Sequence, residues 1–210
     1  MKSMELNVVV VDYGCGNKKS LLSAFERLGI EAYVSSSLRE IKSAERIVMP
    51  GVGSFDRVIR GIEKIGCEEV LIAPSADQRI LGICIGMHVL CKESDEGGLP
   101  GLGVFSTRVE RMDVSSRYLL PNVGWGEVEA ESQHNMCSLG FQKEVFYFDH
   151  SYCVPSGNTY IAGKSMHSRS FCSVMVSEQH IGVQFHPERS HRQGLAFLER
   201  FAKGNIWTRE

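Results

Sequence analysis

What most constrains this chain is the regular exchange of short apolar runs and helix-patterned stretches through its first 95 residues. Residues 7–13 are a β-branched run, and residues 18–28 carry Leu21, Leu22, Phe25 and Leu28 at helical spacing before Gly29 stops the helix. Further short strands are predicted over 32–35, 46–49 and 80–84, with helices over 56–65 and 86–92. A βαβα order of this kind leads to a parallel sheet flanked by helices.

From Leu102 onward the pattern changes to strands joined by turns, over 103–111, 124–131, 145–149, 160–163, 173–177 and 181–186. A closing helix is predicted over 194–203, with Leu195, Leu198 and Phe201 on one face. This half reads as an antiparallel extension of the sheet. No repeat, low-complexity tract or Pro/Ser-rich linker interrupts the chain, and 210 residues with 43% hydrophobic side chains suit one domain over 1–210.

Charge and cysteine usage narrow the function classes. With 23 Lys plus Arg against 25 Asp plus Glu and a formal charge of −2, no phosphate-neutralising surface is built, so nucleic acid is not an expected partner. The first apolar run, Val8–Val11, is far shorter than a signal-peptide core or the roughly 20 residues that span a bilayer, so a soluble cytoplasmic protein without membrane contact is expected. Seven cysteines, 15, 67, 84, 91, 137, 153 and 172, are scattered without C-x-x-C pairs, which predicts neither a disulfide framework nor a structural zinc site. His134 and Cys137 have ligand-like spacing but no second pair, so no metal is assigned. Gly14-Cys15-Gly16 lacks the third glycine of a dinucleotide turn, because position 19 is Lys19, and no cofactor is assigned.

Three segments carry chemistry. In Gly82-Ile83-Cys84-Ile85-Gly86 a nucleophile-type residue sits between a buried strand and a helix, flanked by the glycines that a sharp, crowded turn demands. That position exposes the sulfur at a helix N-terminus, where the thiolate is favoured. In Gln184-Phe185-His186-Pro187-Glu188, His186 and Glu188 are two apart in an extended stretch and so share one face, letting Glu188 orient His186 as the base and acid for Cys84. The glycine-rich turn Pro50-Gly51-Val52-Gly53-Ser54-Phe55 follows a strand. Peptide N–H groups of Gly51, Val52 and Gly53, with that of Ile85, are the candidate donors to an oxyanion.

Together these segments resemble the class I (triad) glutamine amidotransferases, and within them the glutaminase subunit of imidazole glycerol phosphate synthase. The resemblance extends through Asp12-Tyr13-Gly14, Gly16-Asn17, Gly124-Trp125, Phe146-Tyr147-Phe148 and His150-Ser151-Tyr152, so it covers almost the whole chain. It implies a three-layer, flavodoxin-like α/β fold with a mainly parallel central sheet, forming one type 1 glutamine amidotransferase domain. It further implies hydrolysis of L-glutamine at Cys84 without a cofactor, and a (β/α)8-barrel synthase partner in a heterodimer that receives the ammonia. The glutamine α-groups would be held by the segment after the nucleophile, by Glu96 and by Ser151 and Tyr152.

The chain departs from the family pattern at particular places. His88 stands where the family has glutamine in C-L-G-M-Q, one helical turn from Cys84. An imidazole there is expected to contact bound glutamine and to titrate near neutrality. Pro121-Asn122-Val123-Gly124-Trp125-Gly126 replaces P-H-M-G-W-N on what would be the synthase-facing side, and Asp149 replaces a small apolar residue. Three roles therefore stay open: ammonia supply to histidine biosynthesis, ammonia supply to acetamidino-sugar formation in a surface-polysaccharide pathway, and free-standing γ-glutamyl hydrolysis.

Overall fold

The four valines of strand β1, Val8–Val11, are buried without exception, which happens when a strand lies inside a sheet covered on both faces. The computed structural model describes residues 7–131 and 139–207. The reading of His134 and Cys137 lies outside the described residues.

Strands β2 (Ala32–Ser35) and β3 (Arg46–Met49) flank β1 in parallel, with Val8 opposite Ala32 on one side and Arg46 on the other. Strand β4 (Arg79–Ile83) follows β3, and β12 (His180–Val183) lies parallel beside β4, giving the order β2-β1-β3-β4-β12. The sheet then turns antiparallel through β11 (Arg169–Val176), β10 (Ile161–His167), β7 (Asn122–Ala130) and the edge strand β8 (Lys143–His150). Short strands β5 (Cys91–Ser94), β6 (Phe105–Arg111) and β9 (Tyr152–Pro155) branch from it, with β5 and β6 parallel to each other. The second half is therefore not purely antiparallel. Its strand β12 completes the parallel set, a pairing set by packing across nearly a hundred residues that local pattern cannot reveal.

Alternate side chains of the parallel strands feed two cores. On one face Val8, Val10, Val48 and Leu81 meet helices α1 (Lys18–Arg27) and α6 (His191–Lys203) through Leu21, Phe25, Phe197, Leu198 and Phe201. On the other, Val9, Val11, Ile47, Met49 and Ile80 meet α3 (Phe55–Ile65), α4 (Glu68–Ile72) and α5 (Ile85–Leu90) through Phe55, Val58, Ile62, Leu71 and Met87. The result is three layers, helix on sheet on helix. The six-residue helix α2 (Leu38–Ser43) connects β2 to β3. Helix α5 ends at Leu90 rather than continuing to position 92, because Cys91 adopts extended backbone and starts β5. Among the described residues no helix is long and apolar enough to cross a membrane.

Candidate active site

Four parallel strands end on the same side of the sheet, and each delivers a functional segment there. Past β1 comes Tyr13, past β3 the 50–55 turn, past β4 Cys84, and past β12 Gln184 and His186.

Cys84 is the hinge between β4 and α5, with φ 49° and ψ −106°. A non-glycine residue held there stores strain of about 1–3 kcal/mol, which persists only where the surroundings enforce it. They do so by close packing: a side chain on Gly82 would meet the Gly86 backbone, and one on Gly86 would collide with the Met49 carbonyl. The Cys84 N–H is fixed on the Val183 carbonyl at 2.7 Å.

His186 and Glu188 are both 2% exposed in their side chains, and His186 Nδ1 lies 2.9 Å from Glu188 Oε1. The pleat of a strand is not what brings them together. Strand β12 ends at Val183, and Pro187 opens a short 3-10 turn, Pro187–Arg189, which folds Glu188 back beneath the imidazole. The backbone of His186 is anchored on both sides: its N–H donates to Tyr147 O at 2.8 Å, and its carbonyl accepts from Ser190 Oγ at 2.6 Å. Ser190 Oγ also accepts from the Tyr147 N–H, so the free edge of β8 carries the histidine. Burial disfavours the charged imidazole and is the largest single influence, yet the Cys84 sulfur and the Glu188 carboxylate together outweigh it and hold His186 up to about 10.

A cavity of about 260 Å³ opens over these groups. Its walls include Gly51, Val52, Gly53, Cys84, Ile85, His88, Glu96, Ser151, Tyr152 and His186, so every site residue named from sequence lines it except Glu188, which sits behind His186. Gly51 has no room for a side chain, because one would press on the His186 ring and Ile83. The buried Tyr13 hydroxyl donates to the Pro50 carbonyl and pins the start of the turn. Burial, with Cys15, Cys84 and Asp12 nearby, pushes the Tyr13 phenol well above its ordinary value, so it stays a donor.

His88 differs from its sequence-based expectation. It is 2% exposed, Nε2 pairs with Gln184 Oε1 at 2.9 Å, and burial lowers it to about 4 despite that bond. It is therefore a neutral imidazole across the working pH range, with no titration near neutrality. The Glu96 carboxyl is raised, first by burial and then by Asp56, while the Phe55 N–H opposes the shift.

Sequence reading missed four contributors. Gln184, fully buried, directs Nε2 at Cys84 Sγ across 3.7 Å. The Asp149 carbonyl faces the same sulfur at 3.9 Å, and Pro121 and His150 complete the cavity wall. His150 donates from Nδ1 to Tyr152 O at 2.9 Å and accepts from Asn122 Nδ2 at 3.0 Å, and burial lowers it to about 3. Gln184 and His150 lie inside the motifs already quoted, so the signal for them was adjacency to His186 and Ser151 in the chain.

Comparison with known proteins supplies the family. The family model "Glutamine amidotransferase class-I" matches residues 9–204. Imidazole glycerol phosphate synthase subunit HisH of Nitrosococcus oceani is 35% identical over 95% of this chain and 98% of its own length. Subunit HisH 2 of Pseudomonas aeruginosa is also 35% identical, over 93% and 98% of the two chains, and HisH 2 of Methanococcus maripaludis is 31% identical over the same shares. Among solved structures, a glutamine amidotransferase superposes with a TM-score of 0.71 at 20% identity, covering 93% of this chain and 98% of that one. The Thermotoga maritima PurLQS structure gives 0.69 at 16% identity over 96% and 99%, and both likenesses speak to the fold alone. From the matched family model and these full-length relatives, the chain belongs to the class-I glutamine amidotransferases.

Proposed function

We propose that this chain is a single type 1 glutamine amidotransferase domain that hydrolyses L-glutamine at Cys84, with His186 and Glu188 completing a Cys-His-Glu triad. The observation that carries the reading is the buried His186–Glu188 pair at 2.9 Å beside a cysteine on a strained strand-to-helix hinge. The Cys84 thiolate attacks the side-chain amide carbon, and the oxygen takes the negative charge against the peptide N–H groups of the Gly51–Gly53 turn and Ile85. The C–N bond then breaks as His186 gives its proton to the leaving nitrogen, releasing ammonia and a γ-glutamyl thioester. Water loses a proton to His186 while adding to the thioester, and C–S cleavage frees glutamate and the thiolate. Each step uses protein groups and water alone. His88, Glu96, Ser151 and Tyr152 surround the α-amino and α-carboxylate end of the substrate.

The ammonia passes to a (β/α)8-barrel synthase subunit bound as a heterodimer in the cytoplasm. Support comes from the relatives, which are named as subunits, and from an apolar face beside the cavity. On that face Val123 and Trp125 of β7 and Val145 of β8 are exposed, Trp125 stacks on His191 at 5.0 Å, and Arg189 lies 4.0 Å over Tyr147 while pairing with Asp149 at 3.2 Å. Asp149 and the Asn122–Gly126 stretch are the places where the sequence leaves the family pattern. They favour keeping acetamidino-sugar formation beside histidine biosynthesis as the process served. Cys84→Ala should abolish glutamine hydrolysis while the chain still copurifies with its barrel subunit. Ammonia release should rise by orders of magnitude when that subunit and its acceptor are added to the wild type. Equal hydrolysis with and without the subunit would instead support a free-standing γ-glutamyl hydrolase.

A further inference from the structure

The carboxamide of Gln184, which the triad does not use, bridges Cys84 and His88. Its Nε2 points at Cys84 Sγ across 3.7 Å, and its Oε1 meets His88 Nε2 at 2.9 Å. All three residues are buried, and Gln184 has no exposed surface, so its amide has no water to turn toward. Its own N–H is fixed on Ser173 O at 3.0 Å, which holds the residue at the end of β12. A carboxamide has one donor end and one acceptor end, and which end faces the sulfur decides whether it helps or opposes a thiolate. A donor to an anion forms a charge-assisted hydrogen bond, whereas a carbonyl oxygen there would repel it. The other ring nitrogen of His88 argues for one choice. Nδ1 is buried without a hydrogen-bond partner among the described residues, and an unpaired lone pair there costs less than an unpaired N–H, so the proton belongs on Nε2, which then donates to the amide oxygen and leaves the NH₂ facing the sulfur.

We propose that Gln184 is a positioning residue that donates a fixed hydrogen bond to the Cys84 thiolate, and that His88 acts through it by locking the amide orientation. This rests on the reading of Cys84 as the nucleophile and adds a second donor to the one supplied by His186. His88, 2.9 Å from the amide oxygen, is the anchor of the relay. A glutamine at position 88 could serve the same purpose through its own NH₂, which accounts for the exchange of imidazole for amide without loss of the device. The other titratable groups around the sulfur are His186, His150, Glu96, Asp149 and Tyr152 in the cavity wall and Tyr13 beside it. Among the described residues none of these hydrogen-bonds the Gln184 side chain, so changes at 184 report on the amide itself.

The test is alkylation of Cys84 by iodoacetamide in the full chain, followed by mass spectrometry of the Cys84 peptide from acid to alkaline pH. Loss of a hydrogen bond to a charged group predicts that Gln184→Met slows alkylation at neutral pH about tenfold and moves the profile to higher pH. Gln184→Glu, with a carboxylate toward the sulfur, should slow it further. His88→Leu, which frees the amide to turn, should fall between wild type and Gln184→Met, while His88→Gln should keep the wild-type profile. A wild-type profile in folded Gln184→Met would overturn the proposal. Should that variant fail to fold, coinciding profiles for His88→Leu and His88→Gln would overturn it equally. Failure of the underlying reading looks different, because Cys84 of the wild type would then show no preferential alkylation over the other cysteines.

Discussion

At the scale of single residues the site is governed by how burial and charge compete at His186. Burial alone would hold this imidazole neutral, but the Cys84 sulfur and Glu188 carboxylate raise it to about 10. The imidazolium is the form that protonates the departing amine. Because the folded value is raised, the required charge is present at neutral pH and lost as pH rises through about 10. The alkaline limb of kcat/KM, which reports the free enzyme, should therefore lie far above the ordinary histidine range. Replacing Glu188 with Gln removes part of the field that raises His186, so this limb should move toward neutrality and kcat should drop about tenfold or more. The α-ammonium of glutamine also titrates at alkaline pH, but identically for both proteins, so the difference between their profiles isolates His186. Superimposable limbs would show that Glu188 does not set the imidazole's charge.

At the scale of elements, the position of Glu188 depends on a glycine far from the chemistry. Gly194, in the first turn of α6, packs so closely on the Pro187 carbonyl that a side chain there would collide with it. Helix α6 thus packs directly against the 3-10 turn that carries Glu188. Gly194→Ala should push the turn outward, costing about 1–3 kcal/mol of stability by overpacking and lowering kcat toward that of Glu188→Gln. Denaturant unfolding and steady-state kinetics measured together would check it, and an unchanged kcat in a destabilised protein would separate the helix from the site. This contact also marks where sequence reading stops. Strands β2 and β3 were legible at their true bounds because short β-branched runs between polar turns leave one interpretation. Cys84, His186 and the 50–55 turn were legible because glycine and proline report backbone demands directly. Helices α2 and α4, with six and five residues, and strands β5 and β9, with four each, are too short for a period to register. The 3-10 turn and the Gln184 bridge arise from contacts across the fold that no local window contains.

For the whole molecule, three buried histidines tie stability to pH. His88 is lowered to about 4 and His150 to about 3, both chiefly by burial, and His180 is lowered for the same reason while donating from Nε2 to Leu71 O and accepting on Nδ1 from Ser177 Oγ. In the unfolded chain each returns to about 6.5. As pH falls below that value the unfolded state takes up protons that the folded state refuses, so the stability these residues contribute is complete above about 6.5 and is lost toward acid. His186 has the opposite sign: its folded value is raised, so its contribution is complete below about 6.5 and is lost only as pH rises toward 10. The acid loss therefore belongs to the lowered histidines. At about 1.4 kcal/mol per pH unit for each group, His88 and His150 should each cost roughly 2 kcal/mol by pH 5, a large share of a typical folding free energy. Asp12 and Asp95 are lowered carboxyls that begin to matter only nearer their ordinary range, and Glu96, raised by burial, acts in the contrary direction. Urea unfolding midpoints at pH 7 and pH 5 should thus fall steeply for the wild type. His88→Gln removes one refusing group, keeps a side chain able to donate to Gln184, and should recover about half of the loss due to the His88 and His150 pair. An acid slope identical in the two proteins would mean that His88 takes up its proton in the folded state as readily as in the unfolded chain; Nε2 would then still donate to Gln184, so the acid-stability account would fall while the amide orientation stood.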